Sequence, residues 1–231
     1  MLDIPSTMPG FAETTSKAMF KPHPSPALNE HFVRKPYQGT EPEDARFLFI
    51  GLDANYASNI EQSPIFPSIL RYHDDGPGFW RTTGVHHPFL LPGYRGDGRR
   101  YHQTFGRVGF QPRHADLVSF LELLHVPTVG RSVLVAEDLR KSHLERIRHG
   151  MFAGNAKFVF VSAGVQRLLV ATGMFPEVRQ VRRNLGALRV LHESEDRAVF
   201  LHLHFSNYGK FEQQLRAEAS AITGLLACDD A

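Results

Sequence analysis

Two stretches of consecutive apolar residues stand out along the chain, Arg46-Phe-Leu-Phe-Ile-Gly51 and Ala156-Lys-Phe-Val-Phe-Val-Ser162. Short uninterrupted runs of this kind suit strands buried on both faces of a parallel sheet. The second is followed by Ala163-Gly164 and then Val165, Leu168, Leu169 and Thr172 at helical spacing, so a strand feeds a helix. Ala136 to Met151 predicts an amphipathic helix, with Leu139, Leu144, Ile147 and Met151 inward and Arg140, Lys141, Arg146 and Arg148 outward. Leu185 to Leu191 and Ala198 to Phe205 predict two more strands, joined by the polar Glu193-Ser-Glu-Asp196. Phe211 to Leu226 closes the pattern as a helix with Leu215, Ala219, Ile222 and Leu226 on one side. The expected fold class is α/β, a three-layer α/β/α sandwich with a central, mostly parallel four-stranded sheet.

Residues 1–44 break this pattern with Pro5, Pro9, Pro22, Pro24, Pro26, Pro36 and Pro42, which predicts an extended Pro-rich arm; residues 45–231 are expected to form a single domain. Gly76 to Gly109 predicts a long loop, a place where function often sits. The chain has 231 residues, 42% apolar and 22% charged, which excludes collagen, a coiled coil and disorder throughout. A net charge of +2 gives no overwhelming basic field, although 13 histidines and clustered arginines leave room for a local cationic face. Cys228 is the only cysteine, so an intramolecular disulfide, a cysteine zinc site and a cysteine-held iron–sulfur cluster are excluded. With no signal-like start and no apolar run of about 18 residues, the expected setting is cytoplasmic and free of membrane.

Ligands of parallel sheets bind beyond the carboxyl ends of the strands. The first strand delivers Gly51-Leu-Asp53-Ala-Asn55-Tyr56, and the last delivers His202-Leu-His204-Phe-Ser206-Asn207-Tyr208-Gly209. An acid and an imidazole at such ends can face one cleft, the minimum for placing a water or stabilising an anionic leaving group. His202, His204 and Asp53 also admit a metal-dependent hydrolase, although their spacing is no named metal signature. His202 reads better as a core histidine, and His86-His87 equally well as surface. Arg95, Arg99, Arg100, Arg179, Arg182 and Arg183 read either as solvated loops or as a phosphate-facing rim.

Over roughly Phe47 to Gly209 the chain resembles the uracil-DNA glycosylase superfamily. Gly51-Leu-Asp53 lies where that family keeps a Gly-x-Asp loop, and His204-Phe205-Ser206 where it keeps a His-Pro-Ser loop. Pro77-Gly-Phe79-Trp80 and Glu122-Leu-Leu-His-Val-Pro127-Thr128 are similar to segments of its mismatch-specific branch. Ala54 and Phe205 stand where prolines are expected. His23-Pro24-Ser25-Pro26 spells the second motif literally, but no strand precedes it. The resemblance implies removal of uracil from DNA without metal or cofactor, by a monomer that binds uracil-containing DNA and releases free uracil. It implies that Asp53 orients water and stabilises a cationic sugar, while His204 stabilises charge on the leaving base. Leu52, Asn55, Tyr56 and Phe66 would contact the base, Phe66 by stacking and Asn55 or Tyr56 against a thymine methyl. Ser119 and Glu122 are candidates for the base-reading position, where the family has asparagine. Ser206, Asn207, Tyr208 and Lys210 would meet DNA, Tyr208 as a wedge. A non-catalytic nucleic-acid-binding protein of the same fold is the alternative.

Overall fold

The apolar runs with the fewest polar interruptions pair with one another at the middle of a sheet. The computed structural model describes residues 20–130 and 133–229, so the first nineteen residues of the Pro-rich arm lie outside the described residues. Its strands are β1 Tyr37–Gly39, β2 Phe47–Gly51, β3 Val118–Glu122, β4 Phe158–Ser162, β5 Arg183–Leu185, β6 Leu188–Glu193 and β7 Ala198–His202. They form one sheet in the order β1-β3-β2-β4-β7-β6-β5. The central strands β3, β2, β4 and β7 run parallel, whereas β1 at one edge and β6 and β5 at the other are antiparallel.

The sheet therefore has seven strands, not the expected four. The run expected as one strand over Leu185 to Leu191 is a hairpin, in which β5 and β6 turn at Gly186 with φ +56°, a conformation open to glycine at no steric cost. The last strand stops at His202 instead of Phe205 because the Leu203 N–H leaves the ladder for the Glu218 carboxylate at 2.7 Å. β1 lies inside the segment expected to be an extended arm, and so does helix α1, Pro26–Arg34. Pro26 sits in the first helical turn, where a missing N–H costs nothing, and the Ser25 hydroxyl caps the helix by accepting the Leu28 N–H at 3.2 Å.

The remaining helices are α2 Phe66–Asp74, α3 Gly76–Thr83, α4 Arg99–Phe105, α5 Lys141–Phe152, α6 Ala163–Ala171 and α7 Glu212–Asp229. Two of them, α3 and α4, occupy the stretch expected to be loop, and the helix expected from Ala136 is a short 3₁₀ turn followed by α5. Because side chains alternate across a strand, the two faces of the sheet carry different cores. Phe47, Phe49, Phe120, Phe160 and Phe200 face α7 and the Phe105 end of α4. Leu48, Ile50, Val159, Val161, Val199 and Leu201 face α5 and α6. A third cluster joins Leu28 and Phe32 of α1 to Tyr56, Ile69 and Phe89, which ties the described part of the arm to the loop after β2. Among the described residues, no helix is long and apolar enough to cross a membrane.

Candidate active site

A cavity of about 260 Å³ opens at the carboxyl edge of the parallel strands, just below the usual range for ligand clefts and suited to a single ring. Leu52, Asp53, Asn55 and Tyr56 reach it from the loop after β2, Glu122 from the end of β3, and His204 and Ser206 from the loop after β7. These are seven of the residues read from the sequence. They converge although β4 separates β2 from β7.

Asp53 is held by the segment that follows β3. The Thr128 hydroxyl donates to Asp53 Oδ2 and accepts the Asn55 side-chain amide at 3.1 Å. The Thr128 main chain bonds Ala54 O and Tyr56 N at 2.9 and 3.0 Å, so the loop carrying Asp53 is pinned as a short parallel bridge. Asn55 also donates to the Gly130 carbonyl, which directs its amide away from the role of a free base contact. Tyr56 is buried, with its hydroxyl between Gln38 Nε2 at 2.9 Å and His73 Nε2 at 3.0 Å. Burial pushes the Tyr56 hydroxyl well above its ordinary pKa, and it acts as a wall.

His204 receives the Ser206 N–H on Nδ1 at 3.3 Å. Burial lowers its pKa from the ordinary value, against the opposing pull of Asp53. The imidazole is thus neutral at pH 7, with the proton on Nε2, ready to donate. Tyr101 packs against it at 5.3 Å. Phe205, in the place of the expected proline, is buried against Phe49, Phe105 and Tyr101 at 5.3 to 6.0 Å, which fixes the loop by anchoring rather than by a ring constraint.

Glu122 and Gly51 are register partners and lie on the same face of the sheet. A Cβ on Gly51 would stand 2.0 Å from Glu122 Oε2, so the absence of a side chain at position 51 is what makes room for this carboxyl. Burial, and secondarily the charge of Asp53, raise Glu122 to a pKa of about 8.

Other predicted contacts stand elsewhere. Phe66 begins α2 and packs against the cluster around Tyr56, outside the cleft. Ser119 is fully buried within β3, three residues short of the strand end, with its hydroxyl unpaired. Asn207, Tyr208 and Lys210 do not line the cavity, but Tyr208 is 67% exposed beside it, with the Arg100 guanidinium 4.5 Å from its ring. Of the arginines read as a rim, Arg99 instead clamps its own loop through the Phe89, Leu91 and Tyr94 carbonyls, and Arg183 pairs with Glu193.

Sequence reasoning missed Gln38, Phe89, Tyr101, Phe120 and the pair His87 and His102 as cleft residues. His86 and His87 are buried, not surface, and the His87 and His102 rings stack at 3.6 Å. Burial holds both well below the ordinary histidine range, so they present neutral rings to the cavity. His202 is also buried and lowered to about 3, outside the cleft, and no group of three metal-ligating side chains occurs among the described residues. His23 serves the scaffold: Nδ1 accepts the Ser25 N–H at 3.1 Å and Nε2 lies 2.9 Å from the Ala57 carbonyl. No protein-family model and no curated protein matches this chain.

Proposed function

We propose that this protein is a uracil-DNA glycosylase, built as a three-layer α/β/α sandwich, that extrudes a deoxyuridine and hydrolyses its N-glycosidic bond without metal or cofactor. The observation that carries the reading is the convergence of Asp53 and His204, whose Nδ1 accepts the Ser206 N–H and leaves Nε2 to donate, on one ring-sized cavity at the carboxyl edge of the sheet. As the C1′–N1 bond breaks, its electron pair leaves with the base and the sugar becomes cationic. Asp53 offsets that positive charge and orients water, whose oxygen bonds to C1′ while one proton passes through the carboxylate to solvent. His204 donates Nε2–H to the ring oxygen where negative charge collects, and the departing anion takes up one proton. The sum is water plus nucleoside giving an abasic sugar plus free uracil. Preorganised charge, ready before the bond breaks, is the main source of rate.

The exposed Ser206 hydroxyl suits a phosphate, and the Arg100 guanidinium over Tyr208 supplies a neighbouring cation, giving sequence-independent grip on the backbone. The test is incubation with a uracil-containing oligonucleotide in the presence of a chelator, followed by alkaline cleavage. Strand scission at the uracil is expected, and an intact strand overturns the reading.

Thr128 acts on the reaction through Asp53. Thr128→Val keeps the shape and removes the hydroxyl that pairs with both Asp53 and Asn55. Single-turnover uracil release is expected to fall roughly 10- to 100-fold with DNA affinity little changed, because one hydrogen bond to a charged group contributes about 1.5–3 kcal/mol. Thr128→Ser should recover most of the loss.

A further inference from the structure

Strand β7 loses its alternation one residue before His204. Side chains of a strand point to opposite faces in turn. Up to His202 the rule holds: Val199 and Leu201 lie in the aliphatic core, while Phe200 and His202 lie on the side of the rings, where His202 meets Phe160 at 6.3 Å. Continued for three more residues, the same period would put Leu203 and Phe205 on the aliphatic side and His204 on the ring side with His202. Instead Leu203 packs against the ring cluster, Phe205 is buried in it 4.8 Å from His202, and His204 lines the cleft. The phase has slipped by one residue, and the slip lies at Leu203.

What holds the slip in place is a carboxyl group of α7. Glu218 is 1% exposed; its Oε2 accepts the Leu203 N–H at 2.7 Å, and its Oε1 accepts the Gln214 side-chain amide at 2.9 Å. A buried carboxylate is costly unless donors meet its oxygens. An apolar side chain beside Leu215, Ala219 and Ile222 would carry no such cost, so the packing of the helix gives no reason for an acid here. The main chain does. Outside the ladder the buried Leu203 N–H needs an acceptor, and a carboxylate forms one of the stronger bonds available to it. Glu218 has no part in the cleft itself: it does not line the cavity, and the His204 pKa answers to burial and to Asp53. The bonds from the Ser206 N–H to His204 Nδ1 and from the Asn207 N–H to the His204 carbonyl, at 3.3 and 2.9 Å, are internal to the loop. On either side of His204 in the chain, the loop is tied to the body of the protein by the Glu218 carboxylate and by the Phe205 ring.

We propose that Glu218 is a positioning residue for His204: by taking the Leu203 N–H out of the β7 ladder, it shifts the alternation by one and turns the imidazole from the core face into the cleft. The effect on rate rests on the glycosylase reading; the placement of the loop stands apart from it. What position 218 has to supply is an acceptor at the reach of a glutamate, not a charge felt in the cleft.

Two variants of the full chain separate reach from charge. Glu218→Gln keeps an oxygen at the same distance without the charge, and Gln214 can turn its own amide to accept from the new NH2. Glu218→Asp keeps the charge and draws it back by one methylene from the Leu203 N–H. Exchange of the Leu203 amide is followed by NMR, with single-turnover uracil release and oligonucleotide binding in parallel, and release is measured again in the His204→Ala background. Glu218→Asp is expected to speed exchange at Leu203 and to slow release, each by about 10- to 100-fold, the effect of losing one hydrogen bond to a charged group, with binding within a few-fold of the parent. Glu218→Gln should stay within about fivefold of the parent in both, since the bond survives with a neutral acceptor. With His204→Ala already in place, Glu218→Asp should slow release by less than about twofold more, because both changes take the same donor from the cleft. Parental exchange or parental release in Glu218→Asp overturns the inference, and so does a glutamine variant as slow as the aspartate one. An equal loss with and without His204 also overturns it, being the mark of general loosening. If the parent releases no uracil while the aspartate and glutamine variants still differ in exchange at Leu203, the glycosylase reading falls and the placement of the loop stands.

Discussion

Asp53→Asn is expected to lower the single-turnover rate of uracil release by about 100-fold or more, a barrier increase of about 2.7 kcal/mol. Asparagine matches aspartate in size, and the Thr128 main-chain bridge holds the loop at Ala54 and Tyr56 whatever occupies position 53. What the change removes is a negative charge needed mainly once the sugar has become cationic, so the loss falls on the chemical step and not on binding. Binding of an uncleaved uracil-containing oligonucleotide should stay within a few-fold of the parent. A parental rate would remove Asp53 from the reaction, and a large loss of affinity would make it a binding group instead.

His204→Ala is expected to cost about 100-fold or more, and far more than His202→Ala or His23→Ala once all three are shown to be folded. Only His204 reaches the cavity. His202 packs against Phe205 at 4.8 Å beneath it, so its truncation loosens the loop from below without removing a donor. His23 spans Ser25 and Ala57, and its loss belongs to stability. The pH profile separates a neutral donor from a cation. With the His204 pKa lowered by burial, release should hold its rate as pH falls through 6.5 and decline only at lower pH, where protonation takes Nδ1 from the Ser206 N–H. A rate that rises as pH falls through 6.5 would mean that imidazolium is the active form.

The sequence made the middle of the fold legible for a physical reason. Strands such as Phe47–Gly51 and Phe158–Ser162 are covered on both faces, so burial writes itself as an unbroken apolar run, and the residues that follow such runs include Asp53 and His204. β3 is covered as deeply, but Ser119 interrupts it, and its neighbours Pro112 to Leu117 form a 3₁₀ turn with no clear period. The edge strand β5 is exposed at all three positions and leaves no apolar signature. α1 is hidden by Pro26, which a helix tolerates in its first turn, and by the prolines at positions 22, 24 and 36 that flank it. The cleft residues that went unseen, Gln38, His87, Tyr101 and His102, arrive from segments far apart in the chain, and only tertiary packing makes them neighbours. Glu122 could be nominated by its position after an apolar stretch, but the upward shift of its carboxyl comes from burial first and from Asp53 across the cavity second, and neither is visible along the chain.

The division of the sheet into a ring-bearing face and a branched-aliphatic face also acts as proofreading during folding. Phe120, Phe49, Phe160 and Phe200 form one row across four strands, with neighbouring centroids 5.7, 4.7 and 5.4 Å apart, while Leu48, Val159 and Val199 form the row behind. If β4 paired with β2 one residue out of step, phenylalanines would be driven into space shaped for valine and valines would leave ring-sized holes, so one mistake is penalised twice. Position along the strand is thereby encoded in side-chain bulk. The same register sets Glu122 opposite Gly51, so the alignment that satisfies the core also delivers the acid to the place that a side chain at position 51 would fill.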